Sequence, residues 1–136
     1  MKKADKECIL IVDDDPVALA LYETILKDAG LGRVIVSGDG RLVADLLQDN
    51  EVSLVLLDIV MPGIGGLEVL EQTVESHPGL PIIMISGDDD LQTVVRCMKT
   101  GAYDYLNKPV DQTRLVTAVS RALEWKELNT ELSALG

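Results

Sequence analysis

Two adjacent acids, Asp13 and Asp14, a third acid at Asp58, a hydroxyl at Ser86 and an amine at Lys108 are the side chains best placed to do chemistry. Acids brought together repel one another, so a cluster of them needs raised pKa values or a cation. Carboxylates and backbone carbonyls are hard oxygen ligands. They suit Mg²⁺, which keeps several of its waters and binds phosphate oxygens. A lysine and a hydroxyl opposite such an ion could hold the remaining phosphate oxygens. One carboxylate would then serve as nucleophile toward phosphorus.

Such a site exists only if the fold brings these residues together. CILIV at 8–12, LVLL at 54–57 and IIMI at 82–85 are short aliphatic runs without alternation. They predict strands buried on both faces, as in a parallel sheet covered by helices. RVIVS at 33–37 and YDYL at 103–106 are weaker strand candidates. Between them lie helical patterns. Asp15-Pro16 predicts an N-cap with proline at the first helical position. The apolar faces are read as Val17, Leu21, Ile25 and Leu26; Leu42, Val43, Leu46 and Leu47; Leu67, Val69, Leu70 and Val74; Leu91, Val94, Val95 and Met98; and Leu115, Val116, Val119 and Leu123. A fivefold βα alternation predicts an α/β fold with right-handed crossovers. Ligand sites in open α/β sheets form outside the carboxyl ends of the strands. Those ends carry Asp13-Asp14, Asp58, Ser86-Gly87 and Asn107-Lys108-Pro109.

Each piece has a plainer reading. The Asp13-Asp14-Asp15 run could be a solvated helix cap, Ser86 a turn residue and Lys108-Pro109 a surface turn. Asp58 is a poor cap, because Gly65-Gly66 puts the next helix start too far downstream. Four strand ends supplying complementary groups make coincidence a weak explanation. Other chemistries fail on residues. Glu68 stands where a dinucleotide loop needs glycine, and no GxxxxGK[ST] is present. His77 is the sole histidine, which argues against a zinc site or a Ser-His-Asp triad; before Pro78 it reads as a solvated cation at a helix end.

Composition sets outer bounds. A length of 136 residues suits one domain, with 47% hydrophobic and 26% charged residues. The chain has no Phe, so the core must be aliphatic. A formal charge of -11 repels phosphate backbones and anionic membranes, so neither nucleic acid nor membrane is an expected partner. Cys8 and Cys97 match no ligand pattern and read as buried hydrophobes. The apolar run after MKKADKE is too short for a signal peptide or span, and the expected location is cytoplasmic.

Taken together, ILIVDDDP, LVLLDIVMPGIGGLEVL, PIIMISGDDD and GAYDYLNKP resemble, in order and spacing, the motifs of the receiver domain of two-component response regulators. The resemblance covers about residues 7–123. It implies a flavodoxin-like, doubly wound five-stranded parallel sheet of order 2-1-3-4-5 with helices on both faces. It also implies roles. Asp58 would accept a phosphoryl group from a phosphohistidine of a histidine kinase or phosphotransfer protein. Asp13, Asp14, Asp58 and the backbone carbonyl of Val60 would hold Mg²⁺, with Mn²⁺ as a substitute. Ser86 and Lys108 would bind phosphoryl oxygens. Ser86 and Tyr105 would act as the switch pair, and the Lys108-Pro109 bond would be cis. Val60 and Asp88, each two residues after a site residue, would tune phosphate lifetime. Ser86 stands where Thr is commoner and Gly87 where Ala is common, which should loosen the coupling to Tyr105.

The domain is expected to span 1–123, with 124–136 a helical extension. Trp125, Leu128, Leu132 and Leu135 recur at coiled-coil spacing, although over less than two heptads. The extension would lead to an output domain absent from this chain or pair two receivers. A homodimer through the fourth helix, fifth strand and fifth helix is a family expectation. The functional expectation is a signalling switch that catalyses only its own aspartyl phosphorylation and dephosphorylation. An interaction module that keeps the fold without phosphate turnover is the alternative. A metal-dependent phosphatase is more distant, because Val60 stands where a second acid would be needed.

Overall fold

The computed structural model describes residues 7–87 and 90–135. Strands β1 (Cys8–Val12), β2 (Arg33–Ser37), β3 (Leu54–Asp58), β4 (Ile82–Ser86) and β5 (Asp104–Asn107) alternate with helices α1 (Pro16–Asp28), α2 (Val43–Asp49), α3 (Gly66–Ser76), α4 (Leu91–Thr100) and α5 (Gln112–Leu135). A 3-10 turn, Gly40–Leu42, leads into α2. All strand pairs are parallel, and the order is β2-β1-β3-β4-β5. This is the architecture the sequence predicts.

The unbroken aliphatic runs have their physical reason here. Alternate residues of each strand enter opposite cores. Ile9, Ile11, Leu54, Leu56, Ile83 and Ile85 pack with α1 and α5, whereas Leu10, Val12, Val55, Leu57, Ile82 and Met84 pack with the other three helices. Every residue of β1, β3 and β4 is buried, Asp58 and Ser86 included. Both cysteines are free and buried, as expected. The sheet therefore gives the middle strands no freedom to slide, since a one-residue slip would exchange the two faces.

Three predicted helix faces are corrected. Leu42 belongs to the 3-10 turn before α2 and is exposed, leaving Val43 and Leu47 as the buried residues of that face. On α1, Ile25 and Leu26 are buried as expected, but Val17 and Leu21 are exposed and Tyr22 is buried in their place. On α4, Leu91, Val95 and Met98 are exposed, Val94 is half-buried and Cys97 carries the buried contact. An apolar stripe shows which residues share a face, but not whether a neighbouring element covers it. The caps follow the sequence more closely. Asp15 accepts a hydrogen bond from the Val17 N–H at 3.0 Å, with Pro16 at the first helical position. Gly101 closes α4 at φ +125°, a conformation that favours glycine.

Among the described residues, no helix is long and apolar enough to cross a membrane. The last core residue of α5 is Leu123, yet the helix continues unbroken to Leu135.

Candidate functional site

The carboxyl ends of β1, β3, β4 and β5 meet at one edge of the sheet, and each delivers its side chain for a local reason. Asp13 directly follows β1. Its backbone N–H donates to the Ser37 carbonyl at 3.1 Å, which ties it to the end of β2. Its Oδ1 accepts from the Asp15 N–H at 2.9 Å, so the turn into α1 fixes the carboxylate. Asp14 is exposed. Asp58 ends β3 and is 5% exposed. The next residue, Ile59, donates its N–H to Ile85 of β4 at 3.2 Å, and the Val60 N–H donates to Asp58 Oδ1 at 3.3 Å. Ser86 ends β4 fully buried, and its carbonyl accepts the Lys108 N–H at 2.8 Å. The Lys108-Pro109 peptide is cis.

Lys108 joins the strand ends. Its Nζ lies 3.0 Å from Asp13 Oδ2 and 3.6 Å from Asp58 Oδ2. Carboxylate oxygens of Asp13, Asp14 and Asp58 all lie within 4.8 Å of one another. Three hard oxygen donors converging from two strand ends, with one carboxylate open to solvent, fit a Mg²⁺ ion that retains part of its water shell. The electrostatics agree with this fit. Burial, then the charge of Asp13, push the Asp58 carboxyl up to about 6, against the opposing pull of Lys108 and the Val60 N–H. Burial pulls the Lys108 ammonium down. Its hydrogen bond to Asp13 and the nearby carboxylates outweigh burial, so its pKa is raised. The amine is thus a fixed cation, and the charged form of Asp58 would be favoured by further positive charge.

Of the residues singled out in the sequence, Asp13, Asp14, Asp58 and Lys108 come together at one point, with Ser86 adjoining through the Lys108 backbone. Val60 is exposed just beyond Asp58. Tyr105 is half-buried on β5 and packs against the core beneath α4. Asp88 lies outside the described residues. Asp15 belongs to the cap of α1 rather than to the cluster.

Sequence reasoning missed two contributors. A Cβ on Gly66 would run into the Asp58 carbonyl oxygen and the Ile59 Cα, so the first residue of α3 must be glycine for α3 to seat behind the acid. The Gly66 N–H donates to the Ile59 carbonyl at 2.9 Å and closes that turn. The doubled glycine was the available signal. Tyr22 on α1 is the other. Burial raises its phenol pKa first of all, and the charges of Lys108, Asp13, Asp58 and Asp15 all act on it. Nothing in its spacing separates it from an ordinary core tyrosine.

Comparison with known proteins gives a consistent picture. Residues 9–120 match the response regulator receiver domain family. The nitrogen assimilation regulatory protein NtrX of Azorhizobium caulinodans is 39% identical over 130 residues, covering 93% of this chain and 28% of that protein. The C4-dicarboxylate transport transcriptional regulatory protein DctD of Pseudomonas aeruginosa is 38% identical, covering 90% of this chain and 26% of that protein. The chain thus spans about a quarter of the length of these curated relatives. Among solved structures, NtrX from Brucella abortus in complex with ADP superposes with a TM-score of 0.88 at 36% identity, covering 95% of this chain and 30% of that one. A CheY-like receiver domain protein from Methanospirillum hungatei has a TM-score of 0.85 at 30% identity, covering 90% of this chain and 98% of that one.

Proposed function

The chain belongs to the response regulator receiver family, and on that premise we propose that it is a phosphorylation-controlled switch whose acceptor is Asp58. The observation that carries this reading is the convergence of Asp13, Asp14 and Asp58 with Lys108 Nζ bridging two of the three.

In this reading a phosphohistidine of a histidine kinase or phosphotransfer protein presents its phosphorus at the sheet edge. An Asp58 carboxylate oxygen attacks it in line. The P–N bond breaks, and its electron pair stays on the imidazole nitrogen, leaving an aspartyl phosphate. Mg²⁺, held by Asp13, Asp14, Asp58 and the Val60 backbone carbonyl, would supply charge neutralisation for the phosphoryl oxygens. Lys108 turns from Asp13 toward a phosphoryl oxygen, keeping its charge because its pKa is raised. The Ser86 hydroxyl donates to another oxygen, and Tyr105 repacks beside it. Attack of water on phosphorus later returns free phosphate and the Asp58 carboxylate, and the identities of Val60 and Asp88, each two residues after a site residue, tune the lifetime. Beyond Leu123, the α5 extension carries the signal to an output domain or pairs two receivers, with the α4–β5–α5 face as a second pairing surface.

Incubation with acetyl phosphate and Mg²⁺, read by intact mass, tests the reading. One phosphoryl group is expected on the wild type and none on Asp58→Asn or when the metal is chelated. Modification of Asp58→Asn to the wild-type extent would contradict it.

A further inference from the structure

β5 and the residue just before it, Tyr103, make two side-chain fastenings to α5. In the first turn of the helix, Arg114 pairs with Asp104 of β5 at 3.4 Å. Three turns later, about 16 Å along the axis, the indole of Trp125 meets the ring of Tyr103 with centroids 5.7 Å apart and planes tilted by 50°. That separation and tilt fall in the favourable range for aromatic pairs. The two fastened residues of the strand segment, Tyr103 and Asp104, immediately precede Tyr105, and the Asp104 carboxylate also accepts the Tyr105 N–H at 2.8 Å. The Tyr103 N–H in turn donates to the Ile82 carbonyl at 2.8 Å, so its backbone is held to the start of β4.

Trp125 lies beyond the last core residue of α5, so its ring contact belongs to the extension rather than to the domain's interior. Lys126 and Thr130 line a cleft with Ser53 and His77, and the Asn129 amide lies 3.9 Å from where a side chain on Gly79 would start. This side of the helix is seated on the receiver. Leu128 and Leu132 on the other side are exposed. Trp125 sits at the boundary between the two. It is 39% exposed, partly covered by Tyr103, and it falls at the head of the Leu128–Leu132 stripe at three- and four-residue spacing.

We infer that the Tyr103–Trp125 ring pair is a clasp through which β5 controls the seating of the C-terminal extension, so that repacking around Tyr105 alters the contact of Trp125. The inference rests on the proposed phosphorylation switch. It assigns the output path to one contact in this chain rather than to the helix as a whole. Core packing holds α5 as far as Leu123, and an extension with no contact beyond that point could pivot. The second fastening converts a small displacement of β5 into a change at the extension, because one packed ring cannot shift without its partner.

Trp125 is the only tryptophan, so emission excited at the red edge of the band, where tyrosine does not absorb, reports the surroundings of this one ring. The full chain would be treated with beryllofluoride and Mg²⁺, and emission wavelength and acrylamide quenching recorded. Parallel acetyl phosphate samples would be read by intact mass. The clasp predicts a shift of Trp125 emission in the wild type and in Tyr103→Phe, which keeps the ring. It predicts a resting spectrum already displaced in Tyr103→Leu, with most of the response lost. An acetyl phosphate adduct without any beryllofluoride-induced change in emission would overturn the clasp and leave the switch standing. So would a full response in Tyr103→Leu. Absence of the adduct would overturn both, since the clasp would have no switch to follow.

Discussion

Asp58 is held where its charge is unwelcome. The same burial that aims it at the sheet edge, with Asp13 beside it, pushes its carboxyl up to about 6 from the ordinary 3.8. A carboxyl that holds its proton more tightly in the folded protein adds stability at low pH and loses that contribution as pH rises, here between about 4 and about 6. Above that window the folded protein carries the full cost of the charge unless a cation offsets it. Asp58→Asn in chelator should therefore be more stable than wild type by roughly 1–3 kcal/mol at neutral pH, with the gap closing toward pH 4. Urea denaturation at several pH values measures it. A gap that did not change with pH would show that burial and Asp13 do not set the behaviour of this acid. Mg²⁺ should stabilise the wild type more at neutral pH than near pH 5, because the ion competes with the Asp58 proton.

The elements explain how much of this could be read in advance. LVLL announced its own burial because nothing polar interrupts it, and a strand buried on both faces has only its end free to carry Asp58. Asp13, Asp58 and Ser86 were legible as strand ends for the same reason, since each stands at the end of an unbroken aliphatic run, whereas Lys108 follows β5, an edge strand with a weaker pattern. The helices were less legible. Val17 and Leu21 share a stripe with Ile25, as Leu91, Val95 and Met98 share one with Val94, yet part of each stripe stays exposed. Exposure there depends on which helices flank the element, and local spacing does not encode that. The doubled glycine marked a helix start but not its constraint, because what requires glycine at Gly66 is the nearby Asp58 backbone and not its own conformation. Gly66→Ala should therefore act at a distance in sequence. Displacing the start of α3 is expected to cost about 1–3 kcal/mol, as overpacking does, and to slow phosphorylation of Asp58 as well. Thermal unfolding and the mass-detected phosphorylation rate check both. An effect on stability alone would mean that α3 does not position the acid.

For the whole molecule, the geometry separates two ends. The acid cluster lies at the carboxyl edge of the sheet, and the seated extension lies against the opposite edge, where Ser53 precedes β3 and Pro78-Gly79 precede β4. In the proposed switch a signal would have to cross the sheet, and β5 with α5 is the route inferred from the ion pair and the ring pair. Leu128 and Leu132 remain exposed beyond that route, an apolar stripe on a chain of formal charge -11. In a domain that spans about a quarter of its curated relatives, this stripe is read as a pairing surface for a second receiver's extension. Sedimentation velocity of the phosphorylated chain should show self-association that the double substitution Leu128→Ser, Leu132→Ser reduces several-fold. Equal association in both would move the pairing surface elsewhere.

The most direct test of the account is chemical location of the phosphoryl group. Borohydride reduces an aspartyl phosphate to homoserine, and peptide mass spectrometry then gives the position. After treatment with acetyl phosphate and Mg²⁺, homoserine is expected at position 58 and at no other aspartate. Homoserine at position 13 or 14, or a protein that takes up phosphate without yielding homoserine, would contradict the assignment of Asp58 as the acceptor.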